Sequence, residues 1–218
     1  MHMIQEKELV IWDWNGTLLN DTAPCIASMN HMLARRGMPL LTENRYKELF
    51  RFPVQEYYVD LGFDFSRESF ALLSVEFISL YRELQTEAGL HEGALELLEA
   101  FRKRKMKQVI LSAMERITLI GDVRARGIDG FFDDILGLDD HYAKGKAEIA
   151  KEFLLSSPYR PQEIVMLGDT RHDFEVASIL GCTCILIAQG HHPLHKLLTT
   201  GAPVQKNLAG VLNLLINP

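Results

Sequence analysis

Three cysteines in 218 residues cannot make a disulfide framework. The fold therefore has to rest on a hydrophobic core, and a reducing, cytoplasmic setting is expected. Positive charge is also scarce: 23 Lys and Arg stand against 29 Asp and Glu, a net charge of −6. A chain of that balance lacks the basic surface that coats a nucleic acid, although it can still hold a local basic pocket for a small anion. The apolar runs, such as the one around Ile185, are far too short to span a bilayer. Residues 1–8 contain no apolar leader core. Low-complexity tracts and internal repeats are missing too. Neither a nucleic acid nor a membrane is expected as a partner.

What remains is an ordinary globular composition, 47% hydrophobic and 24% charged. The chain is long enough for one α/β core with a small insert. Leu9-Val10-Ile11-Trp12 reads as a buried strand that stops at Asp13, and Asn15-Gly16-Thr17 behind it reads as a turn. From Asn20 to Gly89 the texture changes. Apolar residues recur at helical spacing (Ile26, Met29, Met32 and Leu33; Phe70, Leu73, Phe77, Leu80 and Tyr81), with breaks at Gly37-Met38-Pro39 and Leu61-Gly62. That segment predicts several helices and no strong strand. Beyond it, strands are predicted at 109–111, 132–136, 164–167 and 184–187, and helices at 115–126, 147–155 and 208–216. Such alternation predicts an α/β, Rossmann-like parallel sheet with helices on both faces. The expected division is a core of residues 1–19 and 90–218 with a helical cap of residues 20–89 inserted after the first strand. Cys182 and Cys184, two apart, read as small core residues, and the basic run 102–107 as the solvated end of a helix.

Ligands of open parallel sheets bind outside the carboxyl ends of the strands. Four features fall there: Asp13, Ser112, the Lys144/Lys146 pair, and Asp169 with Asp173. Each has an ordinary reading alone, because carboxylates cap helices and charge their first turns, and a lysine at a helix start can simply be solvated. Three carboxylates in one pocket are different. They repel at close range unless one stays protonated or a hard divalent cation sits among them.

Taken in order, the motifs are Asp13-Trp14-Asn15-Gly16-Thr17-Leu18, a strand ending at Ser112, a lysine opening a helix, and Gly168-Asp169-Thr170-Arg171-His172-Asp173. Together they resemble the haloacid dehalogenase-like hydrolases, especially the phosphoglycolate-phosphatase-like branch with a helical cap, over nearly the whole chain. The resemblance implies a Mg²⁺-dependent phosphatase that acts on a small phosphorylated metabolite through a phospho-aspartate at Asp13. It implies metal ligands from the Asp13 carboxylate, the main-chain carbonyl of Asn15, and Asp169, with Asp173 supporting the ion through water. The Ser112 hydroxyl and the Ala113 N–H would hold phosphate oxygens, with Gly16 and Thr17 also expected at the substrate. Lys146 would neutralise developing charge; Lys144 stays open as the alternative, because loop lengths before this helix vary.

The chain departs from the pattern at Asn15, where these phosphatases usually carry a second Asp that protonates the leaving oxygen and then activates water. Asn cannot exchange a proton, and general acid–base catalysis contributes about 10²–10⁴ in rate. Slow turnover is expected, with acyl and aryl phosphates suffering less than alkyl phosphates. Arg51, with Tyr57 and Tyr58 near the break at Pro53, is the candidate anion contact in the cap. Arg171 and His172 sit inside the acidic loop, and His191, His192 and His195 form a weak candidate for a transition-metal site. Two other functions stay open. One is a phosphonate or other non-phosphatase hydrolase of the same superfamily; a phosphonate hydrolase would want a cap lysine, and Lys47 is the lone one between Asn20 and Phe101. A catalytically weak module could bind a phosphorylated ligand without turning it over. A monomer or homodimer is expected.

Overall fold

The computed structural model describes residues 4–138 and 145–216. Its centre is one six-stranded, wholly parallel sheet. The strands are β1 (Leu9–Trp12), β2 (Lys107–Glu115), β3 (Asp134–Leu138), β4 (Ile164–Gly168), β5 (Thr183–Ile187) and β6 (Val204–Gln205), in the spatial order β3-β2-β1-β4-β5-β6. Five α-helices lie between β1 and β2, of which the first four are α1 (Thr22–Arg35), α2 (Glu43–Leu49), α3 (Val54–Leu61) and α4 (Phe70–Leu84). The rest are α5 (Ala94–Lys103), α6 (Arg116–Ala125), α7 (Lys146–Ser156), α8 (Arg171–Leu180), α9 (Leu194–Leu198) and α10 (Leu208–Ile216).

Alternation along each strand sorts the core into two layers, because successive side chains point to opposite faces. Val10, Trp12, Val165, Leu167, Ile185 and Ile187 pack with Leu97 and Phe101 of α5, Leu119 of α6, and Val211 of α10. The intervening residues Leu9, Ile11, Ile164, Met166, Cys184 and Leu186 pack with Ala150 of α7, Val176 and Leu180 of α8, and Leu197 of α9. Burial on both faces is why these strands read as continuous apolar runs. The helices α1 to α4 carry a third cluster of their own, built on Met29, Met32, Leu33, Tyr46, Tyr58 and Leu73. The chain leaves and re-enters the sheet region at one neck. Leu19 bridges Leu90 there, and the Asn20 N–H donates to the Gly89 carbonyl at 3.0 Å.

The structure moves several expected boundaries. β2 extends to Glu115, well past the predicted Leu111, and β3 starts at Asp134, two residues later than read. Of α5 the sequence anticipates only the basic end, and α8 is not predicted as a helix. The first runs into the basic segment and the second begins inside the acidic motif, so charge hid the apolar stripe of each. Cys182 lies just before β5, and both it and Cys184 pack against the second cluster.

The order 3-2-1-4-5-6 puts the switch in the direction of strand addition between β1 and β4, the place where such sheets open a crevice. Trp12 and Leu167 are register partners, and the Asp13 N–H donates to the Leu167 carbonyl at 2.9 Å. The residues that follow these two strands are therefore held side by side.

The core makes a direct prediction. Leu97→Ala, at a fully buried position on α5, should cost about 2–5 kcal/mol in urea unfolding. A loss well under 1 kcal/mol would show that the α5 face is not part of the packed core.

Candidate active site

Asp13 follows β1, Asp169 follows β4, and Asp173 sits in the first turn of α8; all three are buried. One carboxylate oxygen from each lies within 4.8 Å of the others. Thr170 caps α8, and its N–H and hydroxyl donate to Asp173 at 3.0 and 2.7 Å. Asp173 is thus a helix-capping residue and a member of the cluster at once. Lys146, the first residue of α7, buries its ammonium between Asp13 and Asp173, 2.6 Å from the latter. The Thr17 hydroxyl lies 2.9 Å from Asp13 and 3.0 Å from Asp169. Gly16, at φ +77, makes this close packing possible: a Cβ there would stand 2.4 Å from an Asp169 oxygen and 2.6 Å from the His191 ring.

One ammonium does not balance three buried carboxylates. Burial raises the Asp13 carboxyl to about 8, and the Asp173 and Asp169 charges push the same way against Lys146. Burial likewise raises Asp169 to about 6. Burial opposes ionisation of Asp173 too, but Lys146 outweighs it and the carboxyl is lowered. Lys146 resists desolvation through the same two carboxylates and stays charged. A set of hard oxygen donors that cannot all ionise on its own suits an added divalent cation, and Mg²⁺ takes such ligands. Asp13, Asp169 and Asp173, with the main-chain carbonyl of Asn15, are the groups that would hold it.

A second buried network stands beside the first, and the sequence reading missed it. Asp21 occupies the N-cap position of α1 but makes no capping bond; its side chain turns into the site. It accepts from the Gly16 N–H at 2.8 Å, from the Asn15 amide at 2.8 Å, and from the Tyr81 hydroxyl at 2.6 Å. His191 Nε2 lies 3.4 Å from it, while His191 Nδ1 meets the Tyr46 hydroxyl at 2.9 Å. Burial works against the charge on both partners. Their mutual attraction wins, lowering Asp21 to about 2 and raising His191 to about 9. The Asn15 amide also donates to Tyr81 Oη at 2.8 Å. Position 15 therefore faces an ionised, buried carboxylate, and an amide suits that place because it donates.

The remaining predicted residues divide. Ser112 and Ala113 line the cavity in front of Asp13, and the Ser112 hydroxyl lies 3.4 Å from Asn15 Oδ1. Tyr57, Tyr58 and His172 line it too. Gly16 and Thr17, expected at the substrate, are not among the residues lining this cavity; the Gly16 N–H donates to the Leu19 carbonyl and to Asp21. Arg51 is not brought to this cavity either. It is exposed on another surface, where Asp60 at 2.9 Å and Glu56 at 3.5 Å hold its guanidinium. Lys47 pairs with Glu43 at 2.8 Å, away from the cavity. Lys144 lies outside the described residues. The three histidines do not converge on a metal. His192 accepts from the Arg171 N–H at 3.0 Å and meets the Phe50 carbonyl at 2.9 Å; burial lowers it to about 4, so it is neutral with its proton on Nε2. His195 faces Glu48 at 3.2 Å.

Comparison with known proteins agrees with this geometry. A family model described as haloacid dehalogenase-like hydrolase matches residues 10–187. The tyrosine-protein kinase PtkA of Mycobacterium tuberculosis is 24% identical over 193 residues, which cover 86% of this chain and 64% of that protein; the chain thus spans less than two thirds of that relative's length. A 5'-nucleotidase of Pseudomonas aeruginosa is 26% identical, covering 85% of this chain and 89% of its own. Among solved structures, the haloacid dehalogenase-like hydrolase SP0104 of Streptococcus pneumoniae superposes with a TM-score of 0.80 at 20% identity, covering 95% of this chain and 97% of that one. At that identity the likeness establishes the fold.

Two predictions follow from the charges. Asp13 and Asp169 are raised, so the stability they allow is full below the ordinary value of 3.8 and is lost as pH climbs through about 6 and about 8. Asp21 and His191, at about 2 and about 9, stay ionised across that window. Freed of divalent ions, the protein should melt progressively lower as the pH rises. Saturating Mg²⁺ should restore most at the alkaline end, by about 2.7 kcal/mol at 100 times its Kd. Melting curves flat in both pH and Mg²⁺ would refute a strained acidic cluster. Second, Asn15→Asp puts a carboxylate against ionised Asp21 and raises its own pKa. Its deficit in Tm against wild type should therefore widen as the pH rises above the carboxylate range; equal deficits at acid and alkaline pH would mean the two side chains do not meet.

Proposed function

The chain belongs to the haloacid dehalogenase-like hydrolases, and from that premise we propose that it is a Mg²⁺-dependent phosphatase of small phosphorylated substrates, with Asp13 as the nucleophile. The observation that carries the reading is the trio Asp13, Asp169 and Asp173, gathered within 4.8 Å, with a buried ammonium from Lys146 bridging two of them. The names of relatives point the same way: besides the 5'-nucleotidase, a phosphoglycolate phosphatase of Vibrio vulnificus is 23% identical, covering 86% of both chains.

In this reading Mg²⁺, when bound, neutralises phosphoryl charge and lets the nearby carboxylates stay ionised. An Asp13 oxygen attacks phosphorus, and the bond to the leaving oxygen breaks. Lys146, the Ser112 hydroxyl and the Ala113 N–H hold the phosphoryl oxygens as charge develops. Asn15 gives no proton, so the leaving oxygen takes one from solvent. Water then cleaves the phospho-aspartate and returns the carboxylate. The helices of residues 20–89 act as the cap, and the loop after β5 together with α9 holds them. Tyr46 bonds His191, the Phe50 carbonyl meets His192, and Lys196 reaches the Lys47 carbonyl at 3.0 Å. Cys25, Cys182 and Cys184 are free thiols, in keeping with a cytoplasmic location. Among the described residues no helix is long and apolar enough to cross a membrane.

The competing readings lose support where the structure speaks to them. Lys47 is engaged by Glu43 outside the cavity, which leaves a phosphonate hydrolase without its cap lysine.

A phosphate-release assay over a metabolite panel, with Mg²⁺ and with chelator, tests the proposal. Wild type should release phosphate only with Mg²⁺, and Asp13→Asn should release none. Asn15→Asp should speed alkyl phosphates by roughly 10² where protonation limits the rate. Release that survives Asp13→Asn would remove the nucleophile. Tight binding of a phosphate analogue with no turnover in wild type, but turnover in Asn15→Asp, would instead identify a binding module.

A further inference from the structure

The cavity in front of Asp13 encloses about 280 Å³, room for a small phosphate ester. Its floor is the acidic cluster with Ser112 and Lys146. Its walls come from α3, α4 and the connection between α2 and α3, and carry an aromatic set: Phe50, Phe52, Tyr57, Tyr58, Phe77 and Tyr81. The hydroxyls do little to make this wall polar. Tyr81 is committed to Asp21 and Asn15, and the Tyr57 oxygen is itself buried from the cavity.

Among the described residues, those lining the upper cavity offer no unpaired positive charge. The Arg82 guanidinium is held by Glu115 at 3.0 Å and Thr118 at 3.1 Å, and the His191 imidazolium is paired with Asp21 at 3.4 Å. His172 stacks on Phe52 with ring centroids 4.6 Å apart and faces Glu175. A leaving group that carried a carboxylate or a second phosphate would lose its hydration here and find no unpaired cation among the described residues. A flat apolar group would exchange water for ring contacts.

Asn15 adds a constraint of a different kind. It has no proton to give, and its amide hydrogens are already on Asp21 and Tyr81. The leaving oxygen therefore has to depart as an anion that is stable by itself. Resting on the phosphatase reading above, we propose that the substrate is a phenolic monophosphate, a single-ring aryl ester whose ring lies against the aromatic wall. An Asp13 oxygen bonds to phosphorus as the phosphorus–aryl oxygen bond breaks. The electron pair leaves on the phenolate, which takes its proton from solvent. Water hydrolyses the acyl phosphate, so aryl phosphate and water become phenol and inorganic phosphate.

The test uses the full chain with Mg²⁺ and compares phenyl phosphate, benzyl phosphate and 2-phosphoglycolate in steady-state kinetics. Alongside, calorimetry compares phenylphosphonate with phosphonoacetate, which need no turnover. Phenyl phosphate should exceed 2-phosphoglycolate in kcat/KM by about 10² or more. Phenylphosphonate should bind about tenfold tighter than phosphonoacetate. Benzyl phosphate should share the KM of phenyl phosphate but not its kcat, and Asn15→Asp should narrow that kcat gap. Phe52→Leu should raise KM for phenyl phosphate more than for 2-phosphoglycolate. Equal binding of the two phosphonates, or a preference for 2-phosphoglycolate, would overturn the substrate class while phosphate release kept the phosphatase reading intact. Release from no ester, with phenylphosphonate still preferred, would sink the phosphatase reading and the aryl substrate with it.

Discussion

Three like charges are forced together at the tips of two neighbouring strands, and the site follows from how the fold answers that repulsion. The sheet order sets the problem. β1 and β4 are adjacent because the chain reverses its direction of growth between them, and the Asp13–Leu167 backbone bond fixes how closely the next residues approach. Burial removes the water that would otherwise screen the carboxylates. α8 and Lys146 answer part of the repulsion: the helix N-terminus favours the Asp173 charge, and the ammonium bridges Asp13 and Asp173. What they leave unanswered shows in the raised Asp13 and Asp169 carboxyls.

The Asp21 network gives the internal control. Asp21, Cys25 and His191 also place ligand-type atoms within 4.8 Å of one another, and Asp21 is as deeply buried as Asp169. Yet its carboxylate receives a backbone N–H, an amide, a tyrosine hydroxyl and an imidazolium, and its pKa falls to about 2. Protein groups alone complete that carboxylate. The same fold holds one acidic centre satisfied from within and one that is not, joined through His191, whose N–H donates to Asp169 and whose ring faces Asp21.

How much of this the sequence could disclose depended on range. The sheet was legible because strands buried on both faces must be apolar throughout, and Asp13, Asp169, Asp173 and Lys146 were legible because each stands at the end of such a run or opens the helix behind it. Asp21 was not. An acid just before a helix reads as a cap, and only tertiary packing turns it towards His191, 170 residues away in the chain by the numbering. Arg51 failed for the converse reason: charge beside a chain break says nothing about which way the side chain points, and Asp60 and Glu56 on the next helix claimed it. Gly16 was assigned to the substrate, but its place is set by close approach to Asp169.

Asn15 looks from sequence like the loss of a catalytic acid, and in the structure it is also a gain. Its amide ties Asp21, in the first turn after the sheet, to Tyr81 on α4, and Asp21 is paired with His191, which α2 reaches through Tyr46. The amide is therefore one link in a chain of hydrogen bonds that joins the sheet to the helices standing over it. A carboxylate at position 15 could relay a proton, but it would also repel Asp21 and break a donor contact on which that seating relies. Proton relay and tethering make opposite demands on one side chain. With Asp21 ionised, an amide at position 15 serves the tether and not the relay.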